Sequence, residues 1–254
     1  MHAGDTLPPA FSAAAAEMPE PLRSLLVDNL PPENVDGAAL AEAMSCLPLA
    51  VPMGRASDVL CKPGLLDAAS CAALRTAVDE RGLDTDYDTV DGVADHQLNM
   101  TPDELSALIG KAQLEAIIAA GRELDMWRGG SGSCERLPLV EVFVRRYTPH
   151  TRPWHPFHQD RAAITVNVAL SDDCAHGGGR LVGIFADGAA GFERSEGCAT
   201  VHLSRIVHGV TRMTHGIRHA LIVFLGHEPA VRRELVTIDT PDGPVQQWNR
   251  VIVE

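Results

Sequence analysis

From residue 139 onward the chain alternates. Leu139, Glu141, Phe143, Arg145 and Tyr147 fall on one side of an extended chain and Val140, Val142, Val144 and Arg146 on the other, which predicts a strand with two unlike faces. A second run, 164–170, stops at Ser171, Asp172 and Asp173, and runs at 181–185, 199–208 and 218–226 predict at least three more strands. Upstream the period becomes helical. Asp67 is a candidate N-cap, followed by Ala68, Cys71, Leu74, Ala77 and Val78 up to Gly82. Thr101, Pro102, Asp103 and Glu104 spell a capping box with proline at the first helical position. Leu105, Leu108, Ile109, Ala112, Leu114, Ile117 and Ile118 then give an apolar face, adjusted near Gly110. Short strands with Gly and Asp turns after two helices predict an α+β protein with a mainly β core, a barrel or sandwich with helices on one side.

The two ends read differently. Residues 1–55 are punctuated by Pro8, Pro9, Pro19, Pro21, Pro31, Pro32, Pro48 and Pro52, so an irregular, partly disordered arm is expected, with room for short helices at 22–29 and 37–46. Residues 84–100 are acidic and are expected as a surface loop with a short strand at 96–100; a substrate lid is the alternative. The main domain is assigned to 56–233, with its motif core at 139–226. Residues 234–254 form an extension whose runs at 235–238 and 248–253 could add strands to the sheet.

Composition narrows the class. With 254 residues, 45% of them hydrophobic, a substantial core can be buried, and no apolar run approaches the roughly 18 residues that a membrane helix needs. No secretory or transit pattern opens the chain, so a soluble, cytoplasmic protein is expected. The six cysteines lie too far apart for zinc-ribbon spacing and are expected as free thiols. The net charge of -13 argues against a nucleic-acid partner, but it is uneven: 139–233 holds 11 arginines against 8 acids, a net of +3, while the remainder nets -16. Only Lys62 and Lys111 are lysines, so any carboxylate clamp in the second half must use arginine.

His158 and Asp160 stand two apart, which puts both side chains on one face of an extended chain; on a helix they would diverge by about 200°. His-x-Asp alone is weak, and most instances are surface features. The candidates for a third ligand are His202, His208, His215, His219 and His227. If 199–208 is one strand, His202 and His208 share a face but lie roughly 20 Å apart, too far to share an ion. His208 is preferred because Gly216 and Arg218 then follow as a turn and the second arm of a hairpin, leaving His202 to the wall or surface. Arg218 heads the apolar face of Ala220, Ile222 and Phe224, where a buried charge needs a partner: a bound carboxylate, or a structural salt bridge. Two histidines and a carboxylate with open positions are a non-haem iron ligand set.

From about 139 to 224 the chain resembles the catalytic core of the Fe(II)/2-oxoglutarate-dependent dioxygenases, nearest their prolyl 4-hydroxylase-like branch. The resemblance rests on Arg146 and Tyr147, on His158-Gln159-Asp160, on 165–170 with the Ser-Asp-Asp that follows, on Gly178 and Gly179, and on His208, Gly216 and Arg218 spaced eight and ten apart. It implies a double-stranded β-helix, or jelly roll, in which His158, Asp160 and His208 bind Fe(II). Arg218 and the Tyr147 hydroxyl would hold 2-oxoglutarate, with Thr165 and Asn167 as further candidates at the cosubstrate and Trp154 or His155 at the substrate. The reaction implied consumes O2 and 2-oxoglutarate, yields succinate and CO2, and hydroxylates a C–H bond of a peptidyl, prolyl or small-molecule substrate, with ascorbate as reductant. Arginine stands where prolyl hydroxylases proper carry lysine, so proline itself is not implied. The rivals are a non-catalytic metal-binding or interaction protein of the same fold, and a zinc hydrolase, for which no acid/base partner is evident.

Overall fold

The computed structural model describes residues 7–47, 49, 54–83, 87–130, 137–227, 231–240 and 243–252. Two antiparallel sheets face each other in a jelly-roll arrangement that does not close into a barrel. The larger has six strands in the order β1-β8-β5-β10-β3-β2, and the smaller has four in the order β4-β9-β6-β7. The large sheet comprises β1 (Leu60–Lys62), β2 (Gln97–Met100), β3 (Leu139–Tyr147), β5 (Ala162–Ala169), β8 (Ala199–Leu203) and β10 (Arg218–His227). The small one comprises β4 (His155–His158), β6 (Leu181–Phe185), β7 (Gly188–Phe192) and β9 (Val207–Val210).

The alternation read from the sequence sorts the large sheet into two faces. Val142 and Val144 on β3, Val166 and Val168 on β5, and Leu221, Val223 and Leu225 on β10 point outward into a core with Leu74, Leu105, Ile117 and Leu124. The last four belong to α4 (Ala68–Arg81), α5 (Pro102–Ile109) and α6 (Lys111–Trp127). The caps are as expected: Ser70 N donates to the Asp67 carboxylate at 2.7 Å, Glu104 N to the Thr101 hydroxyl at 3.2 Å, and Thr101 N to the Glu104 carboxylate at 2.8 Å. The adjustment at Gly110 is a break, since its φ of 81° ends α5 before α6 begins. Gly121 sits inside α6 because a Cβ there would collide with Leu225, so the helix can lie directly on β10.

Three expectations change. Helices cover both outer faces, not one: α1 (Pro9–Glu17), α2 (Glu20–Leu26) and α3 (Gly37–Ser45) pack on the small sheet. Phe11, Leu22, Leu25, Leu26, Leu40 and Met44 form a second core with Trp154, Phe157, Val182, Ile184 and Val207. The described part of the N-terminal arm is therefore helical and buried against the sheet, because its apolar side chains find partners far along the chain. The run 199–208 is two strands in different sheets, divided by a turn at 204–206. Finally, β11 (Val231–Thr240) and β12 (Gly243–Ile252) pair with each other as a hairpin and, among the described residues, extend neither sheet. Five cysteines are unpaired, as expected, while Cys134 lies outside the described residues. Among the described residues no helix is long and apolar enough to cross a membrane.

Candidate metal centre

β4 ends at His158 and pairs with β9 so that His158 lies opposite His208. The chain then turns, Asp160 N donating to Ser204 O at 2.8 Å, before β5 begins. Three donors converge: His158 Nε2 lies 3.2 Å from Asp160 Oδ1 and His208 Nε2 lies 3.5 Å from Asp160 Oδ2, and the ligand atoms all fall within 4.8 Å of one another. Both imidazoles are aimed by the backbone. His158 Nδ1 donates to Pro156 O at 2.9 Å and His208 Nδ1 to Ile206 O at 3.0 Å, so that each Nε2 is directed at the carboxylate. Burial pushes His208 down to about 3 against the pull of Asp160, so its imidazole is neutral. Burial alone would raise the Asp160 carboxyl, but His208 and His158 outweigh it and hold the group below the usual carboxylate range. A neutral His208 imidazole and an ionised Asp160 carboxylate are the protonation states a divalent metal needs.

Thr165, expected at the cosubstrate, stands behind the carboxylate: its hydroxyl donates to Asp160 Oδ2 at 2.6 Å and lies 2.8 Å from Ser204 Oγ. His202 is not remote. The turn at 204–206 folds β9 back, bringing the buried His202 ring to 4.8 Å from that of His208. His155 lines the cavity, stacked on His158 with centroids 4.2 Å apart; burial first, then the charges of Arg145 and Arg152, keep it neutral. Its neighbour Trp154, just before β4, is turned into the other core instead: it packs edge-on against Phe11 at 4.8 Å.

At the far end of the site Arg218 pairs in register with Tyr147 and lays its guanidinium over that ring, 4.7 Å from the centroid. It is 1% exposed, and none of its three nitrogens has a hydrogen-bond partner among the described residues. The glycine pair of the motif shapes this corner. Gly178 and Gly179 have φ of 64° and 66°, and side chains there would strike the Arg212 carbonyl and Met213.

The cavity of about 270 Å³ between the sheets is lined by the three convergent residues, Tyr147, His155, Thr165 and Asn167, with an apolar wall of Phe143, Ile222 and Phe224. Part of the acidic segment expected as a surface loop, including Asp88 and Asp95, lines the cavity. Asp88 is buried and ion-paired to Arg145 at 2.8 Å and Arg152 at 3.2 Å, while Asp91 holds Arg152 at 2.9 Å. No sequence signal marked Asp88, Arg152 or the buried Arg194, which donates to Asn167 Oδ1 at 2.9 Å.

No family model and no curated protein matches the chain. Solved structures do. The oxygenase EvdO2 from Micromonospora carbonacea var. aurantiaca, complexed with 2-oxoglutarate, superposes with a TM-score of 0.52 at 14% identity, over 68% of this chain and 87% of that one. A prolyl hydroxylase from Trichoplax adhaerens, in complex with a hypoxia-inducible-factor degradation-domain fragment, superposes with a TM-score of 0.50 at 14% identity, over 68% and 85%. The fold is that of the 2-oxoglutarate-dependent oxygenases. Within it the cluster of His158, Asp160 and His208 lies between the two sheets, with Arg218 beyond Tyr147.

Proposed function

We propose that the protein is an Fe(II)- and 2-oxoglutarate-dependent dioxygenase of the prolyl 4-hydroxylase-like branch, acting on a C–H bond of a peptidyl or small-molecule substrate. The observation that carries this is a His/carboxylate cluster in the cavity together with a buried arginine, stacked on the cavity-lining Tyr147, that has no hydrogen-bond acceptor among the described residues. A permanently charged guanidinium left unpaired in the interior is costly, and a carboxylate is the partner its geometry suits. The donor set fits Fe(II): two nitrogens and one carboxylate oxygen on one side leave the other side open to small ligands.

Bound iron would supply the redox chemistry that couples decarboxylation of 2-oxoglutarate, giving succinate and CO2, to insertion of oxygen from O2 into the substrate. The chain's own residues orient and shield. The backbone carbonyls of Pro156 and Ile206 aim the two Nε2 atoms, and the Thr165 hydroxyl holds one oxygen of Asp160. Arg218 holds the distal carboxylate of the cosubstrate, with Tyr147 as the wall beneath its guanidinium. Phe143, Ile222 and Phe224 keep one side of the cavity dry, so a substrate would present its C–H bond there. The test is turnover of 2-oxoglutarate by purified protein with Fe(II) and ascorbate, reading succinate, alongside anaerobic binding of 2-oxoglutarate. Succinate release stimulated by a proline-rich peptide or by one metabolite pool would name the substrate class. Protein that binds Fe(II) but neither binds nor consumes 2-oxoglutarate would instead be a non-catalytic metal-binding member of the fold.

A further inference from the structure

Arg194 follows β7 and enters the interior between the sheets. Its backbone N–H donates to Asp173 Oδ2 at 2.9 Å and its Nη1 to Asn167 Oδ1 at 2.9 Å. Among the described residues its Nε and Nη2 have no hydrogen-bond partner, and the residue is 3% exposed. A Cβ on Gly179 would lie 3.1 Å from Arg218 Cδ and 3.4 Å from the His176 ring, and His176 and Arg194 both face Asp173, so the two guanidiniums belong to one corner. Burial first, and the charge of Arg218 next, lower Arg194 to about 10. The local charge does not balance. Asp173, the carboxylate beside Arg194, is 3.9 Å from its Nε and is shared with Arg180 at 3.6 Å and His176 at 3.7 Å. Two arginines therefore bring five nitrogens without a hydrogen-bond partner among the described residues into one buried corner, and the carboxylate there, Asp173, is divided between Arg194 and Arg180. Such an arrangement is stable only with a further anion, and a carboxylate offers about four lone-pair sites to receive the free N–H groups.

The corner lies at a useful distance from the metal cluster. Thr165, bonded to Asp160, and Asn167, bonded to Arg194, are alternate residues on one face of β5, so the second is roughly 7 Å further from the cluster. That is the scale of a five-carbon 2-oxo diacid. We propose that Arg194 is a second guanidinium of the cosubstrate clamp, sharing the distal carboxylate with Arg218. This rests on the dioxygenase assignment above, and it gives Arg194 a specificity role: it favours a 2-oxo diacid over a 2-oxo monoacid.

The experiment is calorimetry on anaerobic, Mn(II)-loaded protein with two probes, 2-oxoglutarate and 2-oxobutanoate, which has the same 2-oxo acid end and no distal carboxylate. Wild type is compared with Arg194→Gln, Arg194→Lys and Arg218→Gln. Arg194→Gln is expected to weaken 2-oxoglutarate about 10- to 100-fold, as loss of a charged hydrogen bond does, and to leave 2-oxobutanoate unchanged; Arg194→Lys recovers part of the loss. Equal weakening of both acids, or no weakening of either, overturns the proposal and leaves Arg194 as a brace for Asn167. Should Arg194→Gln not fold, Asn167→Asp places a carboxylate on Arg194, and 2-oxoglutarate must then weaken selectively. Wild type binding neither acid overturns the dioxygenase assignment itself, whereas wild type binding 2-oxoglutarate with Arg194→Gln unaffected overturns only the role of Arg194.

Discussion

Asp160 is gripped from two sides: its oxygens face the two imidazole Nε2 atoms, and Oδ2 also accepts from the Thr165 hydroxyl. Removing that hydroxyl without changing side-chain shape frees the carboxylate to rotate. Thr165→Val is therefore expected to weaken Fe(II) or Mn(II) binding about 10- to 100-fold, the range typical of groups that orient a ligand, while 2-oxoglutarate affinity at saturating metal holds. A variant with intact metal affinity and weakened 2-oxoglutarate would return Thr165 to the cosubstrate pocket, where the sequence placed it. The contact with Asp160 was not legible in the sequence. Alternation shows which face of a strand Thr165 occupies but not which neighbour its hydroxyl meets, and the partner arrives through the turn that precedes β5. The convergence of His158, Asp160 and His208 was legible because His158 and Asp160 stand two apart and the spacing from His208 to Arg218 resembles a known family's motif, although the parts lie far apart in the chain. Arg194 and Asp88 were not, since their roles come from contacts 21 to 64 residues away.

At the scale of elements, the small sheet depends on the N-terminal helices. Phe11 on α1 is 2% exposed and meets Trp154 edge-on, just before His155 and the strand that carries His158. Truncating a buried aromatic costs about 3–5 kcal/mol where the site cannot collapse. Phe11→Ala should lower the urea midpoint by that amount of stability and weaken metal binding, because β4 loses its backing. An unchanged midpoint would show that the helices merely rest on the sheet. The capping box gives a milder case: Thr101→Ala removes the acceptor for Glu104 N and should cost about 1 kcal/mol without touching metal affinity. Caps and period-two runs could be read from local sequence, since their partners are three residues away or on the same face. The arm could be read only in part: short helices at 22–29 and 37–46 were expected and α2 and α3 lie there, but its prolines suggested otherwise irregular chain, whereas Pro9, Pro21 and Pro32 sit at the starts of helical turns, and the apolar residues answer a sheet some 140 residues on.

For the molecule as a whole, the jelly roll buries histidines on both sides of its large sheet, and this sets how it answers to acid. His96, His155, His176, His202, His208 and His219 are all lowered, with burial the largest cause in each. His219 is the most useful probe because it lies on the face of β10 turned away from the cavity. The charges acting on it are those of Arg146 on β3, Asp79 and Arg75 on α4, and Arg218, and it is lowered to about 4. The folded value is below the unfolded one of 6.5, so the unfolded chain takes up a proton that the folded chain refuses as pH falls below 6.5. Stability therefore drops with acid through the window from 6.5 to about 4, by roughly 3 kcal/mol for His219 alone. Asp160, lowered below its ordinary 3.8, loses its contribution only at more acid pH, and the raised carboxyls of Asp95 and Glu141 offset part of the histidine effect at the acid end. Thermal melts of metal-free protein from pH 8 to 5 should show a flat Tm down to about 6.5 and a steady fall below it. His219→Gln should reduce the slope by close to one proton, and the same slope in that variant would mean that His219 is already protonated in the fold.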